Sequence, residues 1–149
     1  MSNAPHIKLA GKCACGSTEY AVSAEPEWTG VCHCAQCKLA SGSAFFSFVS
    51  VPYKAISWIR RTPASFSSSG SADRYFCDLC GTPIGMRYKN DTEFSLAWSS
   101  LDVTCRPEPQ WQIFSECREK WLGKDLQLDE QSFRDSLSPT AQRFLSEKK

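Results

Sequence analysis

The chain has 149 residues, 42% hydrophobic and 22% charged, and its 17 basic and 16 acidic side chains leave a formal charge of +1. A chain of this length buries roughly two-thirds of its unfolded surface as one globular domain, so residues 1–149 read as a single domain. So even a charge balance gives no basic footprint for nucleic acid and no polybasic patch for a membrane, and neither is expected as a partner.

The predicted elements are mostly short β-strands. Thr18 to Val22 alternates like a half-buried strand, and Ala44 to Val51, AFFSFVSV, is apolar and aromatic enough for a core strand. Ala55 to Ile59 reads as a shorter strand after Pro52, and TPASFSSSGSAD, from Thr62 to Asp73, as a Ser-rich loop. Arg74-Tyr75-Phe76 leads into a cysteine turn, and Pro83 to Tyr88 and Thr92 to Trp98 flank Lys89-Asn90-Asp91 as a hairpin. Trp111 to Phe114 is the last predicted strand. Beyond it Phe133 and Leu137 share a helical face, and Ser138-Pro139 offers an N-cap followed by proline, so a tail over about 129–147 reads as two short helices.

Nine cysteines are about 6% of the chain, an odd count and short of the roughly 8–10% of a small disulfide scaffold. The opening MSNAPHIKLAGK carries no apolar signal segment, and no stretch approaches the roughly 18 apolar residues of a membrane span. A reducing cytoplasm is therefore expected, where clustered thiols hold metal more often than they form disulfides.

Seven of the nine cysteines fall into three clusters: Cys13-x-Cys15-Gly16, Cys32-His33-Cys34-x-x-Cys37 and Cys77-x-x-Cys80-Gly81. A structural zinc takes four ligands and a catalytic zinc three with one open position, so the count suits one site of each kind. Cys77-x-x-Cys80 turns two sulfurs toward each other, with Gly81 relieving the turn; Cys13 and Cys15 can add two more from a neighbouring strand, where residues two apart share a face. Cys32 and Cys34 likewise share a face with His33 directed away, and Cys37 returns from the following turn. Spacing leaves alternatives open. Cys13 and Cys15 can join the Cys32 to Cys37 group instead, Cys77 and Cys80 can be a redox pair, and the triple cluster can be closed by His33, Cys105 or Cys117. Otherwise Cys105 and Cys117 read as buried small hydrophobes.

The ordered pattern Gly11-x-Cys13-x-Cys15-Gly16, Cys32-His33-Cys34-x-x-Cys37 with Ala40-Ser41-Gly42-Ser43-x-Phe45, and Phe76-Cys77-x-x-Cys80-Gly81-Thr82-Pro83 resembles the glutathione-dependent formaldehyde-activating enzyme family, also called the centromere protein V domain family. The resemblance covers about residues 9–122, with Ser100-Leu101-Asp102 and the Trp121 region. It implies a mainly β protein, a β-tent of short antiparallel sheets with cysteine turns. It also implies two zinc ions per chain: a structural one on Cys13, Cys15, Cys77 and Cys80, and a catalytic one on Cys32, Cys34 and Cys37.

The activity so implied is that of a carbon–sulfur lyase joining glutathione and formaldehyde as S-(hydroxymethyl)glutathione, which makes a small thiol and an aldehyde the expected partners. Zinc deprotonates a bound thiol or polarises an aldehyde oxygen, so no covalent side-chain nucleophile is required. His33 is a candidate for proton transfer and otherwise a supporting or surface histidine. Gln112 stands where many relatives carry a histidine, and no glutathione-binding residue can be matched. Lys38, Arg74 and Arg87 can meet carboxylates but read first as solvated surface charges; Phe45, Phe46 and Trp98 can line the zinc mouth but read first as core. Two other readings are a non-enzymatic zinc-stabilised interaction module and a thiol redox sensor on Cys32, Cys34 and Cys37.

Overall fold

Within residues 6–123, the part of the chain that the computed structural model describes, ten strands and one α-helix follow in order. They are β1 (Leu9–Lys12), β2 (Glu19–Val22), β3 (Trp28–Cys32), α1 (Ala35–Ser41), β4 (Phe46–Pro52), β5 (Ile56–Trp58), β6 (Ala64–Ser67), β7 (Ala72–Phe76), β8 (Pro83–Tyr88), β9 (Glu93–Ala97) and β10 (Trp111–Ile113). The chain divides into two units, Met1–Glu119 and Lys120–Lys149. All elements named here belong to the first; the helical tail expected over about 129–147 lies outside the described residues.

The strands form two sheets, one of three strands ordered β1-β2-β5 and one of seven ordered β10-β3-β4-β9-β8-β7-β6. Period-two alternation decides what each face of the large sheet carries. Val49 and Val51 of β4 with Phe94 and Leu96 of β9 point to one side, where they pack with Leu9, Tyr20 and Val22 of the small sheet in the main core. Phe46, Phe48 and Ala97 point to the other side, joining Ala72, Met86, Cys32 and Cys37 in a second cluster. Tyr20 is fully buried and its hydroxyl is 2.7 Å from Ser100 Oγ, which satisfies the polar atom within the core. Burial pushes its phenol pKa above the ordinary value.

Several expectations need correction. The Ser-rich segment is not all loop: Ala64–Ser67 pairs antiparallel with Asp73–Phe76, since an unpaired β7 edge offers partners to any extended neighbour, even a polar one. The sheets are not wholly antiparallel either, because β10 runs parallel to β3, Trp111 opposite Gly30 and Ile113 opposite Cys32. Thr29 Oγ1 donating to Glu108 O at 2.8 Å, and Gln110 N–H to Thr29 O at 3.1 Å, lead the chain into that edge. The expected hairpin does join β8 to β9, with Asn90 in the left-handed region at φ 66°.

Candidate functional site

The first cysteine cluster is built from two turns. Cys13 and Cys15 follow β1 in a turn, not a strand; Cys13 N–H donates to Thr18 O at 2.9 Å and Gly16 N–H to Cys13 O at 3.0 Å. The second turn is closed by Gly81 N–H donating to Cys77 O at 2.8 Å, with Gly81 at φ +75°, where a side chain would be strained. Ala14 N–H reaches Thr82 Oγ1 at 3.0 Å and ties the turns together. The Sγ atoms of Cys13, Cys15, Cys77 and Cys80 lie within 4.8 Å of one another, Cys13 to Cys15 at 3.5 Å and Cys15 to Cys77 at 3.8 Å. A tetrahedral zinc with Zn–S bonds of about 2.3 Å needs sulfurs roughly 3.8 Å apart, so the spacing fits that ion. The electrostatics favour thiolate at Cys77 and Cys80, whereas Cys15 is raised: the Ser17 hydroxyl and backbone N–H draw it down, but the Cys13 thiol and burial outweigh them. The Ser17 hydroxyl is the main cause that brings Cys77 down to about 5; burial opposes it, and the Cys80 and Leu79 backbone N–H groups add to it. Thr82, through side chain and backbone, lowers Cys80.

The second cluster joins strand to helix. Cys32 ends β3, Cys34 caps α1 and accepts the Cys37 N–H on its sulfur at 3.4 Å, and Cys37 lies in the helix rather than in a turn. The three sulfurs lie within 4.8 Å of one another, and among the described residues no fourth His, Cys, Asp or Glu joins them. Burial pushes Cys32 up to about 12 and also raises Cys37, against the Arg74 guanidinium. Burial opposes ionisation of Cys34 as well, but the backbone N–H groups of Cys37 and Gln36 and the neighbouring thiols outweigh it and hold Cys34 below the ordinary value. Three soft sulfurs of this kind suit zinc.

All three sulfur-bearing residues line one cavity of about 230 Å³ on the second face of the large sheet; no residue of the first cluster lines it. Its walls include Trp28, Phe46, Phe48 and Met86, with Ile113 and Phe114 at the end of β10. Trp28 meets Phe48 edge-to-face at 4.9 Å, and its indole N–H donates to Glu93 Oε2 at 3.1 Å. Phe114 holds a left-handed backbone, φ 55°, beside this cavity, an unfavourable state for a bulky residue.

Several side chains differ from expectation. Arg74, expected in solvent, is 8% exposed and lines the cavity, with Nη2 donating to Cys37 Sγ at 3.4 Å. Alternation along β7 gives the reason, since Arg74 shares the inward face of Ala72, though a lone arginine in a short strand carries no sign of it in sequence. Lys38 pairs with Glu119 and donates to Cys117 O at 2.7 Å, while Arg87 donates to Asp91 O and stacks on Tyr53 at 4.2 Å. His33 is 3% exposed, hence no surface residue; neither ring nitrogen has a partner among the described residues, and it does not line the cavity. Phe46 does line it, whereas Phe45, Trp98 and Gln112 do not. Cys105 is half-buried and Cys117 exposed, so neither is the buried thiol expected, and neither joins a cluster.

A family model described as glutathione-dependent formaldehyde-activating enzyme matches residues 8–117. An uncharacterized lyase of Schizosaccharomyces pombe is 29% identical over 90 residues, which are 59% of this chain and 65% of that protein. The chain thus spans about two-thirds of the length of that curated relative. The crystal structure of a Rhodobacter sphaeroides protein is similar in fold, with a TM-score of 0.52 at 18% identity over 63% of this chain and 88% of that one. With the match running from the first strand through both cysteine clusters to the end of β10, the chain belongs to the glutathione-dependent formaldehyde-activating enzyme family.

Proposed function

We propose that the protein is a zinc-dependent carbon–sulfur lyase-type enzyme acting on a small thiol and an aldehyde, or on their S-hydroxymethyl adduct. The reading rests on family membership, and one observation carries it to a site: Cys32, Cys34 and Cys37 all line one apolar cavity, whereas of the first cluster's described cysteines Cys13 alone lines a cavity, a different one beside Ser99 to Val103. Cys13, Cys15, Cys77 and Cys80 are the ligands of a structural zinc, and Cys32, Cys34 and Cys37 those of a catalytic zinc. The two sheets are read as the family's β-tent.

Zinc at Cys32, Cys34 and Cys37 supplies Lewis acidity, able to hold a thiol as thiolate near neutral pH or to polarise an aldehyde oxygen. The reaction needs no external oxidant or reductant: the thiol sulfur bonds to the aldehyde carbon, the C=O π pair moves to oxygen, and oxygen gains the proton that sulfur lost. The chain supplies the setting. Trp28, Phe46 and Phe48 exclude water around the reacting carbon, Glu93 holds the Trp28 ring by its indole N–H, and Arg74 places a fixed positive charge beside Cys37.

The test follows exchange among formaldehyde, a thiol and their adduct by NMR, above the uncatalysed background, with zinc stoichiometry measured alongside. Wild type is expected to bind two zinc ions and catalyse exchange. A second zinc with four protein ligands and no exchange with any thiol would replace this reading with an interaction module. Reversible disulfide formation among Cys32, Cys34 and Cys37 with zinc loss, again without exchange, would replace it with a redox sensor.

A further inference from the structure

The cavity that holds the cysteine triad is small, mainly apolar and supplied with one cation. Its volume of about 230 Å³ lies below the roughly 300–1,000 Å³ of sites for larger ligands. Aromatic and aliphatic side chains supply most of its exposed wall, and Ser68, Ser69, Ser71, Ser95 and Tyr88 contribute hydroxyl groups and Gln36 an amide. Among its described lining residues there is no carboxylate, and Arg74 is the single cation. That arginine is underpaired. It makes no ion pair with a described carboxylate, its Nε has no hydrogen-bond partner among the described residues, its contact with Cys37 Sγ accounts for one N–H, and its other recorded contact is with the Phe46 ring face, 5.9 Å from the centroid. A buried guanidinium without a full set of acceptors is costly, and an anionic ligand group relieves that cost. Its planar fork is the side chain best suited to a carboxylate.

Glutathione makes different demands. It is a tripeptide with two carboxylates and an ammonium group, and these walls offer one cation for the two carboxylates and no carboxylate to pair with the ammonium. Lys38 and Arg87 are no substitutes for a second cation, since Glu119 and Cys117 O engage the one and Asp91 O and Tyr53 the other. We propose that Arg74 is the specificity-determining residue of this cavity and that it selects a small, largely apolar thiol bearing a single anionic group, such as a mercaptocarboxylate, in preference to glutathione. This rests on the lyase reading above and narrows it.

Zinc-loaded wild type is titrated calorimetrically with mercaptopropionate, its neutral amide and glutathione, and formaldehyde exchange with each is followed by NMR. Mercaptopropionate is expected to bind about ten- to hundredfold tighter than the amide, the range of a charge-assisted hydrogen bond, and tighter than glutathione. Arg74→Gln should erase the acid-over-amide preference with zinc content unchanged, and Arg74→Lys should restore part of it. Tighter binding of glutathione than of mercaptopropionate overturns the proposal. So does an equal loss of acid and amide affinity in Arg74→Gln, which would mean that Arg74 only balances the charge on Cys37. The wild-type ranking decides alone if Arg74→Gln does not fold. Wild-type exchange with glutathione but not with the smaller thiols sinks this inference and leaves the lyase reading standing; no exchange with any thiol sinks both.

Discussion

A thiol's role here follows from what surrounds it. Cys77 is held low by the Ser17 hydroxyl and by backbone N–H groups, whereas Cys32 is driven up by burial, so these two thiols differ before any metal binds. Structural zinc sites in peptides are worth about 10–16 kcal/mol near neutral pH, comparable with a domain's whole stability. Cys77→Ser should therefore abolish the cooperative thermal melt and the zinc of the first cluster together. Cys34→Ser should instead remove the second zinc and the exchange activity, and lower the melting temperature only slightly. Metal analysis, melts and the NMR assay on the two variants read this difference.

Glu93 offers a pH test at the same scale. Hydrogen bonds from Ser50 and Trp28 hold its carboxyl below the usual range. Its contribution to stability is thus present above the ordinary carboxylate pKa of about 4.3 and lost as pH falls through the lower folded value. Glu27 is raised, first by its hydrogen bond to Glu93, and works the other way, with a penalty that sets in as pH rises above the ordinary value. Glu93→Gln removes both effects. Urea melts should show a net loss of about 1 kcal/mol at pH 7 that closes as the pH drops below the carboxylate range, while NMR titration finds the Glu27 midpoint lowered.

At the scale of elements, β10 is the part most exposed to small changes. It is three residues long, among the described residues it pairs with β3 alone, and yet it brings Ile113 and Phe114 to the cavity. Gly30 makes the close approach possible, since a methyl group there would lie 2.8 Å from the Trp111 carbonyl oxygen. That oxygen is backbone and cannot swing aside. Gly30→Ala should cost about 1–3 kcal/mol, as overpacking does, and should push β10 off the sheet edge. Hydrogen exchange would show the amides around Trp111 to Ile113 losing protection while β4 and β9 keep theirs.

For the whole molecule, the two clusters revise the charge. With the two proposed zinc dications on seven thiolates, the formal +1 would become −2. The zinc-loaded protein should therefore show no binding to labelled DNA or RNA by fluorescence anisotropy at physiological salt, where a basic surface would give a steep salt slope. Among the described residues no helix is long and apolar enough to cross a membrane. Zinc removal by a strong chelator should unfold the first unit, because its two cysteine turns are 62 residues apart in sequence and are drawn together at the first cluster.

The cysteine spacing, the mainly β character and the most regular strands are legible in the order of residues alone. Pro83–Tyr88 falls where alternation and the Asn90 turn place it, and Gly81 sits where a cysteine turn needs a left-handed residue. These are local properties, carried by neighbours in the chain. Features that depend on distant partners emerge only on folding. The convergence of Cys15 with Cys77 and the strand in the serine-rich segment exist because two remote stretches pair, and the parallel course of β10 does too. Arg74 is the sharpest case: its sequence neighbourhood gives no sign of burial, and its place beside Cys37 arises only when β7 and α1 fold onto one cavity. A strand's side-chain pattern specifies which face turns inward, and the pairing of strands specifies what that face meets.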